Sequence, residues 1–428
     1  MPARPQTAPA PAPRRVVITG VGMVTPLGNS LAASWAAAKQ GRSGTGPLTR
    51  CELGGLPESL AVAGEVKGFD PARVIGAKEA RRLDRFIHFT LAAADEALRH
   101  AGFDGLGQLP EPDETGVIIG SGIGGIEGIM ETAELIRERG PGRVSPFFIP
   151  GVVINLAAGQ VAMRTGATGP NYGTVSACAT GNHAIGDAFY AIVRGDARAM
   201  IAGGSEAALT PISFAGYHAA RALATEYESP ESASTPFDRR RNGFVHAEGA
   251  AVLVLEELEA ALARGARPLA EVAGFGMSAD AFHITAPPED GAGAAKAMRR
   301  ALGSAGVEPE EVEYVSAHGT STPVGDRAET RAIRSVFGKH SERLAVSAVK
   351  SMTGHALGAS AAIEAGLAVM TLREGVIPPT INLREPDPEC DLDYVPNQSR
   401  QLGVRVAVSN AFGFGGANTT LVLKLWEG

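Results

Sequence analysis

Val175-Ser176-Ala177-Cys178-Ala179-Thr180-Gly181 opens a run that continues through Ala184, Ile185, Ala188 and Ile192 to Arg194 and Gly195. Val175–Ala177 reads as a strand, 180–194 as an Ala/Gly-rich helix, and Gly195 as the glycine that ends it. A second stretch repeats the plan. Leu344–Val349 reads as a strand, Ala356–Arg373 as a helix of the same small-residue make-up, and Gly375 follows closely. Small residues on both helices would let them pass close to each other in an interior. The repetition points to two related halves, 14–266 and 267–428, dividing near Arg267-Pro268.

Outward from these units, Val16–Gly20, Val117–Ile119, Met200–Ala202, Ala251–Leu255, Val312–Ala317 and Val404–Val408 read as buried strands. Between them Ile87, Leu91, Ala94 and Leu98 fall at helical spacing ahead of Gly102, and Ala295, Met298, Leu302 and Ala305 repeat that spacing. Alternation of this kind predicts an α/β fold with largely parallel sheets. Residues 1–13, rich in Pro and Ala, read as a disordered tail without the apolar core of a secretory signal, which points to the cytoplasm.

Composition narrows the class. A balance of 39 Lys plus Arg against 46 Asp plus Glu, net −7, argues against nonspecific nucleic-acid binding. The 54 Gly and 28 Pro carry no collagen period, and three cysteines cannot all pair, which argues against a disulfide framework. No apolar stretch reaches the roughly 18 residues of a membrane span.

The reactive side chains gather at strand ends. Cys178 stands between a strand and the start of a helix, where the helix dipole would lower its thiol pKa. His318 lies in Ser316-Ala317-His318-Gly319-Thr320-Ser321-Thr322-Pro323. His355 closes Val349-Lys350-Ser351-Met352-Thr353-Gly354-His355, and Glu364 follows in an otherwise apolar helix, where it needs a partner such as Lys350. Ser409-Asn410-Ala411-Phe412-Gly413-Phe414-Gly415-Gly416-Ala417-Asn418 reads as strand, glycine turn, strand, with N–H groups free to face an oxyanion. Spacing alone leaves an inert buried Cys178, a solvated His318 and a structural Lys350–Glu364 pair as alternatives. Cys51 and Cys390 read as inert. Neither CxxC nor HxxxH spacing supports a zinc site, and no Walker spacing supports a phosphate loop.

Ser-Ala-Cys-Ala-Thr-Gly, Ala-His-Gly-Thr-Ser-Thr-Pro, Lys-Ser-Met-Thr-Gly-His and Asn-Ala-Phe-Gly-Phe-Gly-Gly-Ala-Asn, in this order, resemble the four active-site motifs of the β-ketoacyl-acyl carrier protein synthases. The likeness is nearest to the synthase II branch of bacterial fatty acid synthesis and runs from Val16 to the C-terminus. It implies a thiolase-like fold of two duplicated halves in five αβαβα layers, working as a cytoplasmic homodimer. The activity it implies is decarboxylative condensation of malonyl-acyl carrier protein with an enzyme-bound acyl group. It makes Cys178 the nucleophile and His318 and His355 the decarboxylating pair, with Lys350 and Glu364 supporting them. The N–H groups of Cys178 and Phe414 become the oxyanion hole.

The same resemblance places Ile123, Tyr217 and Phe412 around the acyl group, with Phe148 reaching in from a partner subunit. Thr320 and Thr322 would hold the pantetheine amides. Lys78, Arg81, Arg82, Arg143 and Arg221 would dock the carrier protein, although Gly142 stands where a further basic residue is common. The resemblance implies no cofactor beyond the carrier's phosphopantetheine, and no metal. A polyketide-type ketosynthase would share every catalytic residue. A Cys-His acyl hydrolase is a further alternative, and a silent chain-length partner would lack Cys178.

Overall fold

The computed structural model describes residues 14–428; the expected tail, 1–13, lies outside the described residues. Ten strands carry the fold: β1 (Val16–Val24), β2 (Thr115–Gly120), β3 (Asn171–Tyr172), β4 (Ala199–Glu206), β5 (Gly249–Glu257), β6 (Ala270–Ala279), β7 (Tyr314–Ser316), β8 (Ala345–Ser347), β9 (Val406–Gly413) and β10 (Ala417–Leu425). From the middle outward, one half runs β1-β5-β4-β2-β3 and the other β6-β10-β9-β7-β8, joined where β1 pairs with β6. Each strand of the first half therefore has a counterpart at the same place in the second.

The helices repeat the correspondence. α1 (Arg85–His100) and α2 (Leu156–Thr165) in the first half match α4 (Ala292–Ala305) and α5 (Pro323–Phe337) in the second. α3 (Thr180–Arg194) matches α6 (Ser360–Glu374), and each ends on a left-handed glycine, Gly195 at φ 85° and Gly375 at φ 64°. α1 and α2 cover the outer face of one sheet half, α4 and α5 the outer face of the other, and α3 and α6 pack together between them. The strands serve both faces by alternation: on β5, Leu253 and Leu255 enter the central core with α3 and α6, while Val252 and Val254 enter the core under α1. On β10, Leu421 and Leu423 face the centre and Val422 faces α4. The result is the five-layered αβαβα arrangement of duplicated halves. Close approach of α3 and α6 depends on small residues, since a Cβ on Gly181 would stand 2.6 Å from the backbone nitrogen of Ala362.

Three readings of the sequence need correction. The sheet is mixed: β2 pairs in parallel with β3 and β4, and β7 with β8 and β9, while β5 and β10 run antiparallel to both of their neighbours in the same half. β10 reverses because it is entered through the short turn after Gly413, whereas a parallel neighbour needs a crossover. Val175–Ala177 is not a strand. The edge strand stops at Tyr172, Val175 is 58% exposed, and Ala177 already opens a 3-10 turn. The second Ala-rich segment likewise begins with a 3-10 turn, Leu357–Ala359, before α6. The reading of Gly102 as the glycine that ends its helix holds: α1 stops at His100, and after Ala101 Gly102 turns to φ 90° with its N–H donating to the Arg99 carbonyl at 3.0 Å.

Candidate active site

Cys178 sits in the 3-10 turn Ala177–Ala179 that feeds α3. Ala177 is held at φ 49°, a left-handed conformation that costs a non-glycine residue on the order of 1–3 kcal/mol. That elbow turns the thiol toward the second half of the molecule, where Cys178 Sγ lies 3.0 Å from His355 Nε2. The other ring nitrogen of His355, Nδ1, is 2.9 Å from the hydroxyl of Ser360, the first residue of α6. The His318 ring stands edge-on to that of His355 at 5.6 Å between centroids.

Lys350 defines the state of His318. Its Nζ is 3.4 Å from His318 Nδ1 and also pairs with the Glu364 carboxylate, with both charged side chains almost wholly buried. An ammonium only donates, so Nδ1 must accept, and the ring proton of His318 is left on Nε2. The main-chain N–H groups of His318 and Gly319 donate to the two oxygens of buried Glu329 at 2.8 Å each, and Asn410 Nδ2 donates to the same carboxylate at 3.2 Å. The loop bearing His318 is thereby tied to α5 and β9.

Burial dominates the electrostatics. It pushes the Cys178 thiol up to about 11, against the pull of the Lys350 charge and of the N–H groups of Phe414 and Cys178 itself. The expected lowering by the helix dipole is thus overturned, because desolvation of a thiolate outweighs the end of one helix. Burial, then the Lys350 charge, also drives His318 and His355 well below the ordinary imidazole value. Burial raises Glu364 to about 7, with Lys350 opposing. The resting site therefore holds a thiol and two neutral imidazoles.

One sulfur and two imidazole nitrogens, from Cys178, His318 and His355, come within 4.8 Å of one another, a donor set of the kind that can hold a metal ion. The 3.0 Å approach of Sγ to Nε2 is a direct hydrogen bond, the geometry of proton transfer.

A cavity of about 290 Å³ opens over these groups. Ile123, Tyr217, Phe244, Leu357 and Phe414 give it an apolar wall. Thr320 and Thr322 line it with their hydroxyls 3.0 Å apart, and the Phe412 ring stands 5.5 Å from that of His318. Arg221 also lines it. Phe148, in the short helix Phe148–Val152, does not line the cavity of its own chain. Lys78 and Arg82 border a separate surface cleft with Phe147, over whose ring the Arg82 guanidinium lies at 4.2 Å; Arg81 and Arg143 are exposed. Cys51 and Cys390 are not among the cavity's lining residues, and burial raises both thiols, Cys390 to about 12.

Sequence reading missed several residues that build this site: Glu329, Ser360, Glu206 and His246. Glu206 ends the apolar strand β4, and a buried carboxylate there was the available signal. His246 is buried against Phe214, Tyr217 and Phe244 and held neutral, its value lowered by burial to about 4.

Two duplicated halves with a cysteine and two histidines at their junction define a thiolase-like protein. Residues 13–261 match the family model described as β-ketoacyl synthase, N-terminal domain, and residues 269–384 match its C-terminal domain. The chain belongs to the β-ketoacyl synthase family. It is 51% identical over 414 residues to 3-oxoacyl-acyl-carrier-protein synthase 2 of Synechocystis sp., covering 97% of this chain and 99% of that one. It is 48% identical over 411 residues to the protein of the same name from Coxiella burnetii, covering 96% and 98%. Among solved structures, a β-ketoacyl synthase from Burkholderia phymatum is 35% identical with a TM-score of 0.89, over 97% of this chain and 100% of that one. A ketosynthase solved with a type II polyketide acyl-carrier protein and bound to the hexaketide is 34% identical with a TM-score of 0.88, over the same shares.

Proposed function

We propose that the protein condenses malonyl-acyl carrier protein, with loss of carbon dioxide, onto an acyl group carried by Cys178, giving a β-ketoacyl-acyl carrier protein in fatty acid elongation. The observation that carries this reading is the meeting of Cys178 Sγ with His355 Nε2 at 3.0 Å beside a second neutral imidazole, under an apolar cavity.

The chemistry follows from the groups present. Cys178 gives its proton to His355 Nε2 as sulfur attacks the acyl thioester carbonyl. The N–H groups of Cys178 and Phe414 stabilise the oxyanion, typically by about 3–4 kcal/mol per donor. Collapse expels the carrier's thiolate, which takes the proton. The malonyl C–C bond then breaks, carbon dioxide leaves, and the electron pair becomes an enolate. His318 Nε2–H donates to its oxygen, joined by His355. Ser360 can accept from or donate to Nδ1, so it serves His355 both when that ring takes a proton and when it gives one. The enolate carbon attacks the acyl-Cys178 carbonyl and the sulfur leaves as thiolate; a proton taken up from solvent, matching the charge lost with carbon dioxide, restores the thiol. No dissociable cofactor enters this cycle.

Names of relatives at 48–51% identity are those of 3-oxoacyl synthases, whereas the polyketide ketosynthase stands at 34%, which favours the fatty acid reading. That ketosynthase binds an acyl-carrier protein, and Lys78, Arg81, Arg82, Arg143 and Arg221 offer the positive charge to receive one here. A homodimer in the cytoplasm completes the proposal, with Phe148 of each copy reaching the other's cavity. Exposed Ile149 and Val153 on the same segment, and Tyr172 on edge strand β3, support such an interface, and no helix of the described residues is long and apolar enough to cross a membrane. Incubation with malonyl-carrier protein and acyl-carrier proteins of graded length should yield β-ketoacyl products two carbons longer; release of free acid alone would identify a hydrolase instead.

A further inference from the structure

The duplication places a second elbow in the molecule. Leu357-Gly358-Ala359 precedes α6 as Ala177-Cys178-Ala179 precedes α3, and Leu357 is held at φ 44° as Ala177 is at 49°. Gly358 therefore occupies the counterpart of the Cys178 position. Where the first elbow faces a reacting carbonyl, the second faces the buried carboxylate of Glu206. Gly358 N–H donates to Glu206 Oε2 at 3.0 Å, Gly122 N–H to the same oxygen at 2.7 Å, and Ile123 N–H and the Ser121 hydroxyl to Oε1 at 3.1 and 2.8 Å.

An acceptor-only group thus gathers donors from both halves, and charge-assisted bonds of this sort are the strong ones. The carboxylate accepts from Gly358 N–H, the counterpart of the Cys178 N–H, and its other ligands belong to the turn that places Ile123 in the cavity wall, where Leu357, beside Gly358, also stands. We infer that Glu206 is a positioning residue for acyl-chain length: it anchors the Ser121–Ile123 turn against Gly358 and thereby fixes the depth of the cavity. This rests on the condensing-enzyme reading above.

The test measures kcat/KM over saturated acyl-carrier proteins of increasing length for wild type, Glu206→Ala and Ser121→Ala, each normalised to its own shortest chain. Wild type should show a step at the length that meets Ile123. Glu206→Ala should flatten that step at least tenfold, and Ser121→Ala, which keeps the carboxylate and folds under milder perturbation, about threefold in the same direction. Adding Ile123→Ala should produce no further flattening in the Glu206→Ala protein, and in the Ser121→Ala protein less than the sum of the two separate effects, because coupled residues are not additive. Profiles that keep the wild-type step in Ser121→Ala and Glu206→Ala, or additive effects with Ile123→Ala, would overturn the inference. A wild-type profile without a step would do the same. Absence of any condensed product from wild type would instead overturn the enzymatic reading.

Discussion

The two elbows share a backbone and differ in everything else. Both begin with a non-glycine residue of positive φ, pass through a 3-10 turn and deliver a 15-residue helix capped by a left-handed glycine. The first carries a thiol into a space left open for substrate. The second carries no side chain, and could carry none: a Cβ on Gly358 would stand 2.4 Å from Gly122 N and 2.9 Å from Glu206 Oε2. Duplication supplied two equivalent junctions, and one is closed by a carboxylate while the other keeps an open cavity. The comparison teaches that one turn-and-helix frame can be closed on a buried carboxylate or left open to a cavity, and the side chains around it decide which.

The largest effect expected from breaking this contrast is removal of the thiol. Cys178→Ala makes the first elbow as unreactive as the second and should abolish condensation. In the unaltered protein an acyl adduct should be recovered on the Cys178 peptide by mass spectrometry. Recovery on Cys51 or Cys390 would contradict the assignment. Next come the histidines, which exist on the open side only. Replacing either His318 or His355 with Ala should reduce malonyl decarboxylation by at least about 10²-fold, the scale of losing one donor to a developing oxyanion. Acyl transfer to Cys178 should fall less in His318→Ala, since His318 does not touch the sulfur. Equal loss of both half-reactions in that variant would show that the rings do not divide the work.

How far this was legible in the sequence differs between the two elbows as well. Cys178, His318, Lys350 and His355 each stand within a distinctive motif, and the structure brings all of them together. The repeated small-residue helices announced the duplication. The second elbow left no such trace, because its parts are an ordinary glycine, a serine and a glutamate far apart in the chain, and only β4 pairing beside β2 unites Ser121 with Glu206. Strand direction was equally hidden: β-branched composition shows burial and says nothing about which neighbour a strand pairs with. The raised thiol value escaped because a helix N-terminus is local, whereas desolvation comes from everything packed around it.

A third prediction sharpens the closed side. Gly358→Ala adds one methyl group against backbone and carboxylate, with nothing flexible to yield. Overpacking of this kind usually costs about 1–3 kcal/mol, and contact with main-chain nitrogen places it toward the upper end. Thermal melting should show a clear loss, while Ala at the exposed glycine Gly303, which has nothing within 4 Å of its Cβ position, should not. A Gly358→Ala protein as stable as wild type would mean that the second elbow is not packed as tightly as its partners imply.

The smallest effect concerns Ser360, which ties the two elbows together: it begins the helix after the second and holds the histidine that serves the first. Its hydroxyl, 2.9 Å from His355 Nδ1, is a partner that a proton arriving on Nε2 would need, since Nδ1–H must then donate to something in a buried site. Loss of a neutral hydrogen bond costs about 0.5–1.5 kcal/mol, and one pKa unit corresponds to about 1.36 kcal/mol. Ser360→Ala should therefore reduce the rate of Cys178 acylation by less than about tenfold. The thiol sits near 11, so alkylation by iodoacetamide should keep climbing through pH 7–9 in wild type, with no plateau. Without the hydroxyl the imidazolium is less favourable, the sulfur passes its proton to His355 less readily, and the alkylation rate falls by up to about tenfold at each pH without moving along the pH axis. Ser360→Thr, which keeps a hydroxyl on the same carbon, should restore it. A purely structural serine would behave otherwise, with Ser360→Ala lowering the melting temperature while its alkylation profile overlays that of wild type, and the proton-relay role of this hydroxyl would then fall.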